Sequence, residues 1–244
     1  MDWKKRWEVS YLRRHGLLSQ LNLSKLVRRK VPLAYIIGKQ FFLGRYLRMQ
    51  SPVLIPRPET EYWLANLIKQ LPSNAALSIL DLGTGTGCLA AALGRHLPAS
   101  TILAVDRHPQ ALRLARHNCR HLPNVRVIWG DIMGEPAGGQ YDLIVSNPPY
   151  VPTGSPLPVE VRTWEAKEAL FGGVFGTDFH RRILEIAPRL LKPSDLEHNL
   201  IMETDSRSLH LRHLRSLVAG IPHRFEKDQF GRFRTLHCSV QCSK

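Results

Sequence analysis

Residues Ser146-Asn147-Pro148-Pro149-Tyr150 follow an apolar run, Tyr141 to Val145, that reads as a buried strand. Two consecutive prolines cannot donate backbone hydrogen bonds and they fix their own φ angles. Strand pairing therefore stops here, and the carbonyls of Asn147 and Pro148 are held in set directions. An amide, two rigid residues and an aromatic make a preset polar claw beside a flat ring. Asn-Pro is also an ordinary turn opener and Tyr a common strand-end residue, so the stretch needs support from elsewhere in the chain.

That support comes from three other strand ends. After Ile79-Leu80 stands Asp81-Leu82-Gly83-Thr84-Gly85-Thr86-Gly87, a glycine-rich turn leading into a helix. Such glycines let a ligand approach the backbone, and open sheets bind ligands at the carboxyl ends of their strands. The spacing is neither the dinucleotide GxGxxG nor a Walker loop, so it favours a nucleoside without phosphates over a pyrophosphate. The next strand ends in Asp106, where a carboxylate can accept both ribose hydroxyls. The third ends in Gly130-Asp131-Ile132, suited to an adenine amino group at Asp131 and apolar contact at Ile132. Each feature alone has an ordinary reading as a packing glycine or a helix-capping acid. Four of them, each at the end of a successive strand, point to one site.

The elements that must position them are legible as a pattern. Residues 3–29 mix apolar and basic residues at helical spacing, with Trp3, Trp7 and Tyr11 on one face. Residues 31–50 are rich in β-branched and aromatic types with Gly38 and Gly44, and predict a hairpin. Residues 51–61 carry three prolines and predict an extended loop opening a helix. From Glu59 onward strands and helices alternate, with helices predicted over 59–70, 87–96, 109–120, 178–191 and 206–218. This order predicts an α/β fold with a mostly parallel, doubly wound sheet, closed by an antiparallel C-terminal hairpin over 222–240.

The 244 residues, 43% of them hydrophobic, suffice for one main domain with a small appendage. No apolar run reaches membrane-spanning length, and a soluble protein is expected. Cys88, Cys119, Cys238 and Cys242 form no CxxC pair, which favours a reducing compartment and no metal site. The net charge of +14 is uneven: residues 1–30 hold nine Lys and Arg against Asp2 and Glu8, half the excess. Such asymmetry favours a polyanionic partner, an RNA-rich assembly or an import signal.

The chain resembles the Rossmann-like S-adenosylmethionine-dependent methyltransferases. In detail it is similar to the HemK/PrmC-type protein N5-glutamine methyltransferases, which act on peptide chain release factors. The stretches that carry the resemblance are residues 32–61 with LIPRPETE, DLGTGTGCLA at 81–90, VSNPPYV at 145–151 and EALFGG at 168–173. It implies a short basic helical segment over 1–30 for docking or targeting, a hairpin and linker over 31–56, and a catalytic domain over 57–244. It implies S-adenosylmethionine as cofactor, S-adenosylhomocysteine as product, and no metal. Gly83, Gly85, Gly87, Asp106, Ile132 and Asn147 would line the cofactor site, with Thr84, Thr86 and Asp131 beside them. Asn147, Pro148 and Tyr150 would be catalytic. With Pro149 they would hold the glutamine of a Gly-Gly-Gln loop, flanked by Arg57, Pro58 and Glu59. The implied partner is a release factor, with neither nucleic acid nor membrane required and a monomeric enzyme.

The sequence departs from the family pattern in the short segment before Pro32, in EAKEAL at 165–170, and in Phe175 where an Asp is common. Gly138-Gly139-Gln140 repeats the target tripeptide by coincidence in a loop. The basic first residues read as a mitochondrial address; the alternative is a substrate-docking patch in a cytoplasmic protein. Two other functions compete: a nucleic-acid methyltransferase acting on an exocyclic amine, favoured by the charge, and a binding module that kept the fold and lost activity.

Overall fold

The computed structural model describes residues 30–72, 74 and 76–242, so the one or two short helices expected over 3–29 lie outside the described residues. Among the described residues the first element is a helix, α1 (Leu33–Ile37), where the sequence pattern predicts a strand. Pro32 offers its carbonyl to the amides of Tyr35 and Ile36, and Gly38 stops the helix at φ 70°. These local start and stop signals override the β-branched composition between them. The expected hairpin follows, as β1 (Lys39–Phe42) paired antiparallel with β2 (Arg45–Arg48).

Helix α2 (Pro58–Gln70) begins with Pro58 at its first position and Glu59 and Glu61 in its first turn, which suits the positive end of the helix dipole. Then come β3 (Ser78–Leu82), α3 (Cys88–His96), β4 (Thr101–Asp106), α4 (Pro109–Cys119), β5 (Val125–Trp129) and β6 (Leu143–Ser146). The chain continues through α5 (Val159–Trp164), a 3-10 turn at Lys167–Ala169, α6 (Asp178–Leu190), β7 (Leu200–Glu203), α7 (Ser208–Leu217), β8 (His223–Lys227) and β9 (Phe233–Cys238). The predicted boundaries agree within two residues. Helix α5 and the 3-10 turn were not predicted, because elements of six and three residues are too short to develop a period.

The seven-stranded sheet runs β5-β4-β3-β6-β7-β9-β8. The first five strands are parallel to their neighbours, and β9 and β8 are antiparallel. The chain moves outward from β3 to β5 and then returns to lay β6 on the other side of β3. That reversal is the topological switch where open α/β sheets place their ligands.

Alternation along the strands sorts the core onto two faces. Ile79, Val145 and Ile201 face Leu64, Leu89 and Leu93 of α2 and α3. Leu80, Ile144 and Met202 face Ile183, Ile186 and Leu214 of α6 and α7. The β1–β2 hairpin joins the first face through Phe42 and Leu47. It is also stitched to the glycine turn by Asn118 of α4, whose amide bonds the backbone of Arg48 and the carbonyl of Thr86. Gly138-Gly139-Gln140 lies in an exposed loop before β6.

Candidate active site

Beyond the carboxyl ends of β3, β4, β5 and β6 lies a cleft of about 280 Å³. Gly83, Gly85, Asp106, Asp131, Ile132 and Asn147 line it. The other three residues named for the cofactor are turned into the protein. Thr84 donates its hydroxyl to Asp81 at 2.6 Å, Thr86 is buried, and Gly87 packs so closely that a Cβ there would meet Ala115 at 3.1 Å. They shape the turn, while Gly83 and Gly85 present it to the cleft.

Asp106 holds this turn in place. One carboxylate oxygen accepts the amide of Gly85 at 2.9 Å and the other the amide of His108 at 2.8 Å. A carboxylate has about four lone-pair sites, so two remain for a pair of hydroxyls. Asp131 accepts the Met133 amide at 3.0 Å and lies 3.4 Å from Arg107. The cleft thus offers an acid for a diol, an apolar side at Ile132 and Phe179, and glycine backbone between them. That set suits a nucleoside without phosphates.

Two further stretches wall the cleft: Pro52, Val53 and Leu54, and Ala166, Glu168 and Ala169. They are fastened to each other. Ala166 donates its amide to the Pro52 carbonyl at 2.8 Å, and Ser51 its hydroxyl to the Trp164 carbonyl at 2.7 Å. Arg57 meets Glu165 at 2.6 Å, where Glu165 is buried and Arg57 partly exposed. Burial pushes the Glu165 carboxyl up, and Arg57 pulls it back. Breaking such a pair from one side costs about 3–5 kcal/mol, because the buried charge is left alone. The structure therefore makes Arg57 a clasp between the two walls. Pro58 starts α2, and Glu59 in its first turn reinforces the charge of Arg234.

The Asn147–Tyr150 segment is held from behind by a residue the sequence reading passed over. Glu203, the last residue of β7, is fully buried. Its Oε2 accepts the hydroxyl of Thr60 at 2.6 Å and the indole N–H of Trp63 at 2.8 Å, and its Oε1 accepts the hydroxyl of Tyr150 at 2.9 Å. Asn147 in turn donates Nδ2–H to Thr60 Oγ1 at 3.2 Å. Burial pushes the Glu203 carboxyl up; the three donors and Arg234 pull it back. Pro148 is buried, and the other three residues of the segment are half-buried. A charged residue closing the otherwise apolar strand Leu200–Glu203 was the available signal.

Gly172 of EALFGG and Gly176, three residues beyond that stretch, lie against this segment. A Cβ on Gly172 would stand 2.2 Å from the Pro149 carbonyl oxygen, and one on Gly176 would stand 2.1 Å from that of Tyr150. Neutral histidines fasten the same loop to the sheet. His210 donates Nδ1–H to the Phe175 carbonyl and accepts the Thr204 hydroxyl, while Phe175 stacks on His213. His180 donates to the Glu203 carbonyl, and burial lowers it to about 3.

Beneath the turn, burial pushes the Asp81 carboxyl up to about 7 against the bonds from Thr84 and the Ala90 amide. Burial also pushes the thiols of Cys88 and Cys119 up to about 12, so neither is a nucleophile at neutral pH.

The family described as Methyltransferase small domain matches residues 64–161. A Geobacter sulfurreducens protein named release factor glutamine methyltransferase is 43% identical over 169 residues, 68% of this chain and 58% of its own length. The human MTRF1L release factor glutamine methyltransferase is 37% identical over 202 residues, 76% of this chain and 59% of its own length. The chain belongs to the release factor glutamine methyltransferase family. It spans about three fifths of the length of these curated relatives. Two solved structures share the fold at 19% identity: a methyltransferase from Pyrococcus furiosus and a ribosomal protein L11 methylase from Lactobacillus delbrueckii subsp. bulgaricus. Their TM-scores are 0.53 and 0.54, over 76% and 78% of this chain and 86% and 81% of theirs.

A carboxyl raised from 3.8 to about 7 on folding favours the folded state below pH 4, and that advantage is lost as pH rises through 7. The slope is about 1.4 kcal/mol per pH unit. Asp81→Asn removes it, so denaturant unfolding should find the variant gaining about 2 kcal/mol on the wild type between pH 5 and pH 7.5; a constant difference would contradict the assignment. Gly172→Ala must push the loop off the Pro149 carbonyl. It should cost about 1–3 kcal/mol in thermal or denaturant unfolding, and unchanged stability would mean the loop yields freely.

Proposed function

We propose that this protein transfers a methyl group from S-adenosylmethionine to the side-chain amide nitrogen of the glutamine in a Gly-Gly-Gln loop of a peptide chain release factor. The names of the relatives and the family support a release factor as substrate. The factor is an organellar one, and the basic first 30 residues support a mitochondrial address. The observation that carries the reading is the side chain of Asn147 at the cleft. Its nitrogen is engaged by Thr60, which leaves Oδ1 as an acceptor for a ligand.

The cleft fits the cofactor: Asp106 retains lone pairs for the ribose diol, Ile132 and Phe179 supply apolar contact, and Gly83 and Gly85 bring no side chain into the space. When bound, S-adenosylmethionine supplies an electrophilic methyl group on a sulfonium. An amide nitrogen is a poor nucleophile because its lone pair is delocalised. Asn147 Oδ1 accepts one of its N–H hydrogens, and the Pro148 carbonyl, held by the rigid ring that follows, accepts the other. Both bonds aim the nitrogen at the methyl carbon and stabilise the charge that develops on it. Tyr150, anchored through its hydroxyl, provides a flat wall for the amide plane. As the new N–C bond forms, the bond from sulfur to the methyl carbon would break and leave neutral S-adenosylhomocysteine, and the amide proton would pass to solvent water.

The test is to incubate purified protein and radiolabelled S-adenosylmethionine with a Gly-Gly-Gln release factor, its Gln→Ala variant, and total RNA. Label is expected on the intact factor alone. Label on RNA alone would favour an exocyclic-amine nucleic-acid methyltransferase, the reading that the +14 charge supports. Asn147→Ala should lower turnover by about 100-fold or more while cofactor affinity holds. Asp106→Ala should instead weaken cofactor binding by about 10-fold or more in calorimetry.

A further inference from the structure

We propose that Glu203 is a positioning residue: acting through the Thr60 hydroxyl, it sets which way round the Asn147 carboxamide sits, so that the carbonyl oxygen and not the NH2 meets the substrate. This rests on the reading above, that the acceptor is a side-chain amide, and adds how the site tells an amide from a carboxylate.

Hydrogen-bond direction decides the orientation. The Trp63 indole N–H can only donate, so its 2.8 Å contact makes Glu203 Oε2 an acceptor. Thr60 reaches the same oxygen at 2.6 Å and, facing a carboxylate, commits its single hydrogen there. What Thr60 then shows Asn147 is lone pairs only. The Asn147 atom 3.2 Å away must be a donor, its Nδ2, which leaves Oδ1 for the cleft that Asn147 lines. Reversing the amide would press a carbonyl oxygen against those lone pairs and leave Glu203 unchanged.

The strand register places these groups together. Ser146 of β6 pairs with Met202 of β7, so Asn147 and Glu203 are the next positions on neighbouring parallel strands and lean to the same face, toward α2. Thr60 is fully buried, as Glu203 is, so water does not compete for either bond. The second carboxylate oxygen takes the Tyr150 hydroxyl, so one side chain fixes both ends of the Asn147–Tyr150 segment.

The consequence is a choice of substrate. An outward carbonyl oxygen accepts from a glutamine amide and repels a glutamate carboxylate of the same shape. Thr60→Val removes the partner of Nδ2 at nearly constant volume and releases the amide. Thr60→Ser keeps the hydroxyl. Glu203→Gln keeps the direction, because Trp63 still demands an acceptor on that side; Glu203→Met does not.

The test measures turnover on a Gly-Gly-Gln peptide, inhibition by the matching Gly-Gly-Glu peptide, and hydrogen exchange of the Asn147 side-chain NH2 by 15N NMR, assigned by its loss in Asn147→Asp. Thr60→Val and Glu203→Met should lower kcat by about 10-fold or more, tighten inhibition by the glutamate peptide, and speed NH2 exchange. Thr60→Ser and Glu203→Gln should restore all three readouts toward wild type. The proposal is overturned if Thr60→Val leaves inhibition and exchange unchanged, or if Thr60→Ser and Glu203→Gln are as damaged as Thr60→Val. The NMR readout needs no substrate. A wild type that modifies no Gly-Gly-Gln substrate yet shows a slow NH2 freed by Thr60→Val would sink the functional reading and keep the orientation; a fast NH2 in the wild type would sink the orientation by itself.

Discussion

Three hydrogen-bond donors converge on one carboxylate that has no contact with solvent, and the geometry of the Asn147–Tyr150 segment depends on that convergence. Burying an ionised Glu203 costs several kcal/mol. Charge-assisted bonds from Thr60, Trp63 and Tyr150, each worth about 1.5–3 kcal/mol, can offset such a cost only when all are made at once. Helix α2, strand β7 and the turn after β6 are therefore locked to one another. A carboxylate alone would be a liability in this core; with its donors it becomes the anchor of the segment that meets the substrate.

The rest of the site is assembled around that anchor from pieces that carry little structure of their own. The carboxyl ends of four parallel strands provide the floor, and Asp106 ties the glycine turn to it through the Gly85 amide, while its other oxygen takes the His108 amide. The walls are loop segments, one before α2 and one after α5, and they stand because the Arg57–Glu165 pair and the Pro52–Ala166 bond join them. The glycine loop over 171–176 lies against the Pro149 and Tyr150 carbonyls, at a distance no side chain could share. Histidines kept neutral by burial, His180 and His210, hold that loop to β7 and α7 without adding charge near Glu203.

Sequence alone determined the alternation of strands and helices, the chain-order position of the glycine turn, the acids closing β4 and β5, and the rigid pair Pro148-Pro149. These follow from local chemistry: proline removes a donor, glycine frees φ, and apolar periodicity reports burial. Residues 33–37 became a helix because Pro32 and Gly38 act at its ends, where composition has no voice. Only the tertiary structure decided which residues of the glycine turn face the cleft, since adjacent positions diverge with the backbone angles: Gly83 and Gly85 outward, Thr84 and Thr86 inward. It alone joined Thr60 to Glu203 across 143 positions and Arg57 to Glu165 across 108. A buried carboxylate is tolerable only where distant donors meet it, and their meeting is set by strand register and helix packing, which no local stretch of residues encodes.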